Sequence, residues 1–521
     1  MSRAILKSTS ATGLATLLSR ITGMLRDTLM AQALGAGPIS DAFLVAYKIP
    51  NFLRRLFAEG AFSQSFVPVI SEYKTQRGND EVRELVAGVA GTLGAVLLLI
   101  SALGVVAAPV IIFLFAPKWA LADSAGYDLA VQMLRWTFPY LLFVSLTSLF
   151  SGVLNSHGRF VVPAITQVVM NLVMIVAAVF FASHSENPGL VLSIGVFVSG
   201  VLQVLFQLPS VARLKLLAWP RWRPAMDGVR RIAKLMIPGI LGSSMAQISL
   251  LIDTQIATAL ISGSVTWLYY ADRLMEFPLG VFSIALATVI LPGLSAHHAA
   301  KSNEQFTQTL DWALRLVVLL ASPAAVGLLC FAGPMTAAVF GYGRFTPADV
   351  KMASYALMAY SWGLLVFSLV KVLAPGYYAR QDTKRPVRIA LTALACTMSI
   401  NLLVVLPAAH FGFPFPHVLL ATSTCIGAAI NSVLLWRGLT RIGVFKPSSL
   451  WPKLLARVIV ANIAMGALLY WLAGSLDTWL AMPVLERLTR CALGIGAGAA
   501  VYFAVLFALG LRYRDLRTQV V

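Results

Sequence analysis

The sequence predicts an all-α polytopic membrane protein on three observations: charge is scarce, long apolar runs recur from end to end, and basic residues alternate between successive connections. Of the 521 residues, 59% are hydrophobic and 12% charged, with a mean hydropathy of +0.81. A soluble domain carries roughly 25% charged residues. Such a chain hides its surface in a bilayer, and the connections between its apolar runs leave no room for a large soluble domain.

Read between Gly, Pro and charge clusters, the runs give about 14 helices, since a crossing needs about 20 apolar residues. The first, 10–34, follows a basic start that lacks the compact apolar core and small-residue cleavage site of a removable signal peptide, so it is expected to stay. The second, 39–73, is long and broken by Pro50 and Pro68. Four apolar runs follow at 84–115, 127–155, 160–182 and 189–212. The seventh, 232–261, holds one acid at Asp253, and the eighth, 266–297, holds Asp272, Arg273 and Glu276. Runs at 304–332, 350–378, 386–408 and 415–436 come next, and a final pair at 452–474 and 484–511 completes the series.

Connections on one side hold Arg3 and Lys7, Lys74, Arg77 and Arg83, Arg159, a group of seven from Arg213 to Lys234, Lys301, Arg380 to Arg385, Arg437 to Lys446, and Arg512 to Arg517. The opposite connections are nearly bare, with Lys118, Arg344, Lys351 and Arg487 as the main exceptions. This alternation predicts an even number of crossings and both termini in the cytoplasm. It also accounts for the formal charge of +19 with no nucleic-acid partner. The four cysteines, Cys330, Cys396, Cys425 and Cys491, sit in apolar stretches without metal-ligand spacing and read as small hydrophobes.

An internal repeat supports the same architecture. Phe66-Val-Pro-Val-Ile-Ser71 resembles Ile290-Leu-Pro-Gly-Leu-Ser295, and a polar turn ends in Pro163 in one half and Pro386 in the other. Pro68 precedes Pro163 by 95 residues and Pro292 precedes Pro386 by 94. The expected organisation is two pseudo-symmetric six-helix lobes, 1–220 and 221–445, around a central cavity, followed by a C-terminal helix pair, 446–521.

Ionisable residues at membrane depth cost about 2.5–3.5 kcal/mol each on insertion scales, so they face an aqueous cavity or a partner. Here they gather as Arg20, Arg26 and Asp27 in the first span, Asp41, Lys48, Arg54, Arg55 and Glu59 in the second, and Asp272, Arg273 and Glu276 in the eighth. Arg55 with Glu59, and Arg273 with Glu276, have the spacing of helical ion pairs, and a purely structural network is the competing reading. Yet Arg20, Arg26, Arg54 and Lys48 exceed Asp27 and Asp41. A surplus of guanidinium suits a phosphate-bearing ligand, because the planar fork donates two parallel hydrogen bonds and keeps its proton at physiological pH.

Ser19-Arg-Ile-Thr-Gly-Met-Leu-Arg-Asp27, Asp41-Ala-Phe43, Pro50-Asn-Phe-Leu-Arg-Arg-Leu-Phe-Ala-Glu-Gly-Ala-Phe-Ser-Gln64, Trp267-Leu-Tyr-Tyr-Ala-Asp-Arg-Leu-Met-Glu-Phe-Pro278 and Lys371-Val-Leu-Ala-Pro-Gly-Tyr-Tyr-Ala-Arg-Gln-Asp382 resemble the signature of the MurJ/MviN family of lipid II flippases. The likeness runs from near residue 7 to the C-terminus. It implies a fold of the MOP exporter type in the bacterial cytoplasmic (inner) membrane. Its V-shaped cavity would open alternately to either side for the headgroup of the lipid-linked peptidoglycan precursor. It implies substrate binding at Arg20, Arg26, Arg54, Arg55 and Arg273, with Ser19, Asp41, Asn51, Glu59 and Glu276 among their polar partners; Thr266 stands where the family carries Ser. Along the last two helices it implies a groove for the polyprenyl tail, with Arg457 near its polar end. Membrane lipids and the cell-wall synthesis machinery are the implied partners.

No cofactor is expected, the drive coming from a coupling cation or from the membrane potential. Asp253, with Asp382 as partner, would hold such a cation, whereas the plainer reading pairs Asp253 with a neighbouring Lys or Arg. The main rival function is a multidrug antiporter of the MATE type, which shares the broad fold but needs an acidic cavity for cationic compounds. A membrane glycosyltransferase acting on the same lipid needs a catalytic constellation in an outer connection, where only Asp123, Asp128 and Asp349 stand, so no enzyme is expected. His297-His298 lacks nearby ligands for a metal. Gly494-Ile-Gly-Ala-Gly498 lacks the strand and the Lys-Ser/Thr of a nucleotide loop and reads as helix packing.

Overall fold

The computed structural model describes residues 3–55, 62–121, 125–300 and 302–512, with side chains for all of these except 3–12, 63–64, 238–247 and 281–289. Every regular element among them is a helix. Packing groups the chain into two compact units, Met1–Thr266 with Gly343–Phe345, and Trp267–Tyr342 with Thr346–Val521.

The first unit holds α1 (Arg3–Leu34), α2 (Pro38–Arg54), α3 (Ser63–Gln76), α4 (Asn79–Val106), α5 (Ala108–Phe115), α6 (Pro117–Leu121), α7 (Ala125–Thr137), α8 (Tyr140–Ser156), α9 (Val161–Val176), α10 (Pro188–Arg213) and α11 (Asp227–Ala259). It ends in the first turn of α12 (Ser264–Ala299). α10 packs on α7, α8 and α9, while α2 lies against α7 and α1 along α9. Prolines set the breaks. The runs expected as single helices over 84–115 and 127–155 are divided at Ala107 and at Phe138-Pro139, because Pro109 and Pro139 cannot donate to the preceding turn. Phe66, Ile70 and Tyr73 of α3 close a core with Leu85 of α4 and Leu149 and Val153 of α8.

The second unit continues α12 and adds α13 (Asn303–Cys330), α14 (Ala332–Phe340), α15 (Pro347–Tyr378), α16 (Lys384–Ile400), α17 (Leu406–His410), α18 (Pro416–Arg441), α19 (Trp451–Ala473), α20 (Leu476–Ala481) and α21 (Val484–Ala508). α15 packs on both α13 and α18. Leu310 and Leu314, Val372 and Tyr377, and Leu435 and Leu439 fill those interfaces. The Tyr377 hydroxyl donates to the Leu435 carbonyl at 2.9 Å, and its oxygen lies 2.0 Å from where a Cβ on Gly438 would fall, so this close approach requires glycine.

The repeat legible in the sequence reappears in helix lengths. α4 and α13 both run 28 residues, and α10 and α18 both run 26 from a Pro to an Arg. The crossings Ala125–Ser156 and Pro347–Tyr378 both run 32. A π-helical turn at Ala177–Phe181 starts 14 residues after Pro163, and another at Asn401–Val405 starts 15 after Pro386. Sequence similarity at the prolines and matched distortion of the helices that follow them point to the same duplicated plan.

Among the described residues, 10 helical segments are long and apolar enough to cross a bilayer, and they coincide with the third to sixth and ninth to fourteenth expected spans. The expected count of 14 is met only that far. α1, α11 and α12 run 32, 33 and 36 residues, well beyond the about 20 a crossing needs; charge interrupts the apolar composition of α1 and of the first half of α12, after which 277–296 carries no charged residue. In α11 the described apolar stretch is confined to Ile248–Ala259. α2 and α3 run 17 and 14 residues.

Two of the four basic residues that break the alternation of the connections are held by helix C-termini. Lys118 donates to the Ala259 carbonyl at the end of α11, 2.8 Å away. Arg487, 5% exposed, donates through Nη1 to Ala337 and Gly341 (3.1 and 2.8 Å) and through Nη2 to Leu480 and Met482 (2.8 and 3.1 Å). Its Cζ also lies 5.0 Å from the centre of the Tyr342 ring. A cation there meets the negative ends of α14 and α20. Arg487→Ala is expected to cost about 3 kcal/mol or more, since each hydrogen bond to a charged group contributes about 1.5–3 kcal/mol. Thermal unfolding in detergent checks this, and an unshifted midpoint would remove the account.

Candidate functional site

Within the first unit, α1 and α9 bury a polar cluster. Arg26 donates through Nε and Nη2 to Asp27 Oδ1 at 3.0 and 2.7 Å and through Nη1 to Asn171 Oδ1 at 3.1 Å. Asn171 Nδ2 in turn donates to the Ser19 carbonyl and to Thr22 Oγ1, both at 3.0 Å. These bonds fix which way the amide faces, and they turn its oxygen toward the guanidinium. An amide in an apolar membrane helix is stabilised by such interhelical bonds. Asn171 was not expected as a site residue; it is one of two side-chain amides, with Gln167, in the apolar run at 160–182, and that was the available signal.

α2 carries the next group. Asn51 Nδ2 donates to the Tyr47 carbonyl one turn back at 3.1 Å, and its Oδ1 accepts from Arg54 Nε at 3.0 Å, so the amide aligns the guanidinium. Lys48 Nζ lies 3.4 Å from Thr254 Oγ1 of α11. Arg20 and Arg55 are half-buried. Glu59 lies outside the described residues, and with it the expected Arg55–Glu59 pair.

Asp41 is placed differently from the cations it was expected to accompany. Its carboxylate accepts from the Gly263 and Thr266 backbone N–H groups at 2.7 and 2.9 Å and from the Thr266 hydroxyl at 2.6 Å. Thr266 Oγ1 also lies 3.0 Å from Ser40 Oγ. Asp41 is 3% exposed and Thr266 fully buried. The two side chains therefore form a cap on the N-terminus of α12, where free N–H groups and the helix dipole favour a carboxylate. Gly263, at φ +90°, supplies the left-handed residue that the turn into α12 requires.

In the second unit, Arg273 of α12 donates through Nη1 to Glu276 Oε2 at 2.9 Å and through Nη2 to the Tyr269 hydroxyl at 3.2 Å. Its Cζ lies 5.1 Å from the Tyr269 ring centre. The expected i,i+3 pair is formed, with both side chains part-exposed at 29% and 42%. Lys371 of α15 stands in the field of Glu276. Neither Tyr269 nor Lys371 was singled out as a site residue, although both lie in the quoted motifs. Within the same unit Trp267 Nε1 donates to Asp349 Oδ1 at 3.0 Å. Asp349 itself forms a capping box with Thr346 on α15.

Arg457 of α19 lines a cavity of about 250 Å3 shared with α13 and the segment after α21. Asp382 accepts from the Arg385 backbone N–H at 3.1 Å and pairs with Arg385 Nε at 3.3 Å, in the turn that opens α16. Asp253 is half-buried on α11. Asp253 and Asp382 belong to separate units. Among the described residues no group of three His, Cys, Asp or Glu side chains is placed to hold a metal.

The family profile described as "Lipid II flippase MurJ" matches residues 30–489. A relative from Vibrio cholerae serotype O1, described as "Probable lipid II flippase MurJ", is 43% identical over 523 residues, covering 99% of this chain and 98% of that one. Two solved structures share the fold. One is described as lipid II flippase MurJ in an inward closed conformation, with a TM-score of 0.76 at 23% identity, covering 97% of this chain and 99% of the other. The second is an inward-facing multidrug resistance MATE family transporter of the MOP superfamily, with a TM-score of 0.67 at 13% identity, covering 85% and 99%. The helical architecture expected from the sequence is that of these transporters, and on the profile match and the full-length identity the chain belongs to the lipid II flippase MurJ family.

Proposed function

We propose that this protein flips lipid II, the lipid-linked peptidoglycan precursor, from the cytoplasmic to the periplasmic leaflet by alternating access. One observation carries the reading. Between residues 13 and 55 the chain places five basic and two acidic side chains on membrane helices, and one of those acids, Asp41, is engaged by the N-terminus of α12. The balance at depth is cationic, which suits a pyrophosphate and opposes the lipophilic cations of a MATE-type antiporter.

In this reading Arg20, Arg26, Arg54, Arg55 and Arg273 bind the headgroup phosphates. Ser19, Asn51 and Glu276 orient the arginines, and Asp41 and Thr266 act by positioning α12. Glu59 is assigned to the same group by resemblance alone. The polyprenyl tail stays in lipid along α19 and α21, near Arg457, so only the polar head crosses. Both termini face the cytoplasm, the cell-wall synthesis machinery takes the product, and no covalent chemistry or cofactor is involved. The drive is the membrane potential or a coupling cation, and Asp253 is read as a structural acid.

The test is replacement of the native flippase by Arg273→Ala in depleted cells, with lipid II quantified on each leaflet. The expected result is inner-leaflet accumulation and loss of export on the order of a hundredfold, in line with losing a transition-specific charge contact of about 3 kcal/mol. Normal export by Arg273→Ala, with protein at native level in the membrane, would overturn the assignment of this arginine. The same outcome for Arg54→Ala as well would overturn the cationic site.

A further inference from the structure

Arg273 stands at the end of a run of rings that leads outward from the core of the second unit. Phe340 of α14 and Tyr270 of α12 are both fully buried, with ring centres 4.6 Å apart and planes tilted by 43°. Tyr270 meets Tyr269 edge to face, at 5.3 Å and 77°. Tyr269 is 8% exposed; its hydroxyl accepts from Arg273 Nη2 at 3.2 Å, and the guanidinium Cζ lies 5.1 Å from its ring centre. Glu276 takes Nη1 at 2.9 Å. Tyr269 lies four residues before Arg273 and Glu276 three after it, so neighbouring turns of one helix supply both partners. The side chains of Arg273 and Glu276 are 29% and 42% exposed. Exposure therefore rises steadily from the α14 ring to the charged pair, and the guanidinium sits where the aromatic run meets solvent.

We propose that Tyr269 is a positioning residue for lipid II binding, acting through Arg273 by setting the plane of its guanidinium for the headgroup phosphates. The inference rests on the assignment of Arg273 to those phosphates made above. A two-pronged phosphate clamp works only when the plane of the fork is fixed. A long arginine side chain has many rotamers to lose on binding, and those excluded beforehand no longer weaken the complex. The ring face attracts the cation through its quadrupole. The phenol oxygen then selects one of the orientations that the face alone would allow, while Tyr270 and Phe340 keep the ring from turning. A phenol is neutral at physiological pH, so it orients the guanidinium without cancelling the charge a pyrophosphate needs. A second carboxylate at the same place would cancel it.

Purified full-length protein in detergent is titrated with lipid II, and the Kd of each variant is read beside its thermal midpoint. Tyr269→Phe keeps the ring and loses the hydroxyl, so binding roughly fivefold weaker is expected; Tyr269→Leu loses both, and binding weaker on the order of 30-fold is expected. The same two substitutions are then made in an Arg273→Ala background, where neither is expected to weaken binding further. A merely structural role for the ring would weaken binding in that background as well. Parent-like binding by both Tyr269 variants, or an equal loss with and without Arg273, overturns the proposal. Tyr269→Phe, which conserves the volume of the ring, decides alone should Tyr269→Leu fail to fold. Parent-like binding by Arg273→Ala overturns the headgroup assignment itself, whereas weakened binding by Arg273→Ala with parent-like Tyr269 variants overturns the positioning role and leaves that assignment standing.

Discussion

Arg26→Ala is expected to abolish lipid II export while a second substitution at Asp27 repairs the damage to folding alone. Arg26 is 6% exposed and Asp27 3%, and removing one member of a buried ion pair costs about 3–5 kcal/mol because the remaining charge loses its compensation. The single variant therefore confounds instability with lost substrate contact. Arg26→Ala with Asp27→Asn removes both charges, so the thermal midpoint in detergent is expected to recover most of the loss. Export is expected to stay absent if the guanidinium serves the headgroup. Arg26→Lys tests geometry: one ammonium cannot reproduce the paired donation to Asp27 together with the Nη1 bond to Asn171, so partial stability with export reduced at least tenfold is expected. Recovery of export by the double variant would reduce Arg26 to a structural partner of Asp27 and strike it from the site.

The ten plain crossings were legible because a bilayer imposes a composition as well as a length, and both are written in consecutive residues. Their interruptions at Ala107 and Pro139 follow from proline chemistry that the apolar pattern overlooks. The π-turn at Asn401–Val405 has the same cause in Pro407 just beyond it, whereas the one at Ala177–Phe181 has no proline next to it. At the site, Arg273 with Glu276 was legible from spacing on one helix. The Arg26–Asn171 bond was not, since 145 residues separate its partners and it depends on how α1 meets α9. Arg487 shows the opposite failure. Its position in an otherwise bare connection read as an exception in charge placement, when the residue is buried and spends its donors on four backbone carbonyls.

Asp41→Ala is expected to be the most destabilising change at the start of α12. It leaves the Gly263 and Thr266 N–H groups without their acceptor in a buried turn, at about 1–3 kcal/mol for each unsatisfied group, and removes the favourable charge at a helix N-terminus. A loss of about 4 kcal/mol follows, read as a lowered thermal midpoint in detergent. Asp41→Asn keeps one oxygen but turns an NH2 toward a donor, so an intermediate loss is expected. Thr266→Ser retains the hydroxyl that bonds Asp41 and should match the parent, whereas Thr266→Val should fall with Asp41→Asn. Arg273 stands two turns further along α12, so export should decline in the same rank order as stability. Asp41→Ala with the parent's midpoint and full export would show that the cap neither holds the helix nor contributes to transport. A parent-like midpoint with export lost would instead return Asp41 to direct contact with the substrate.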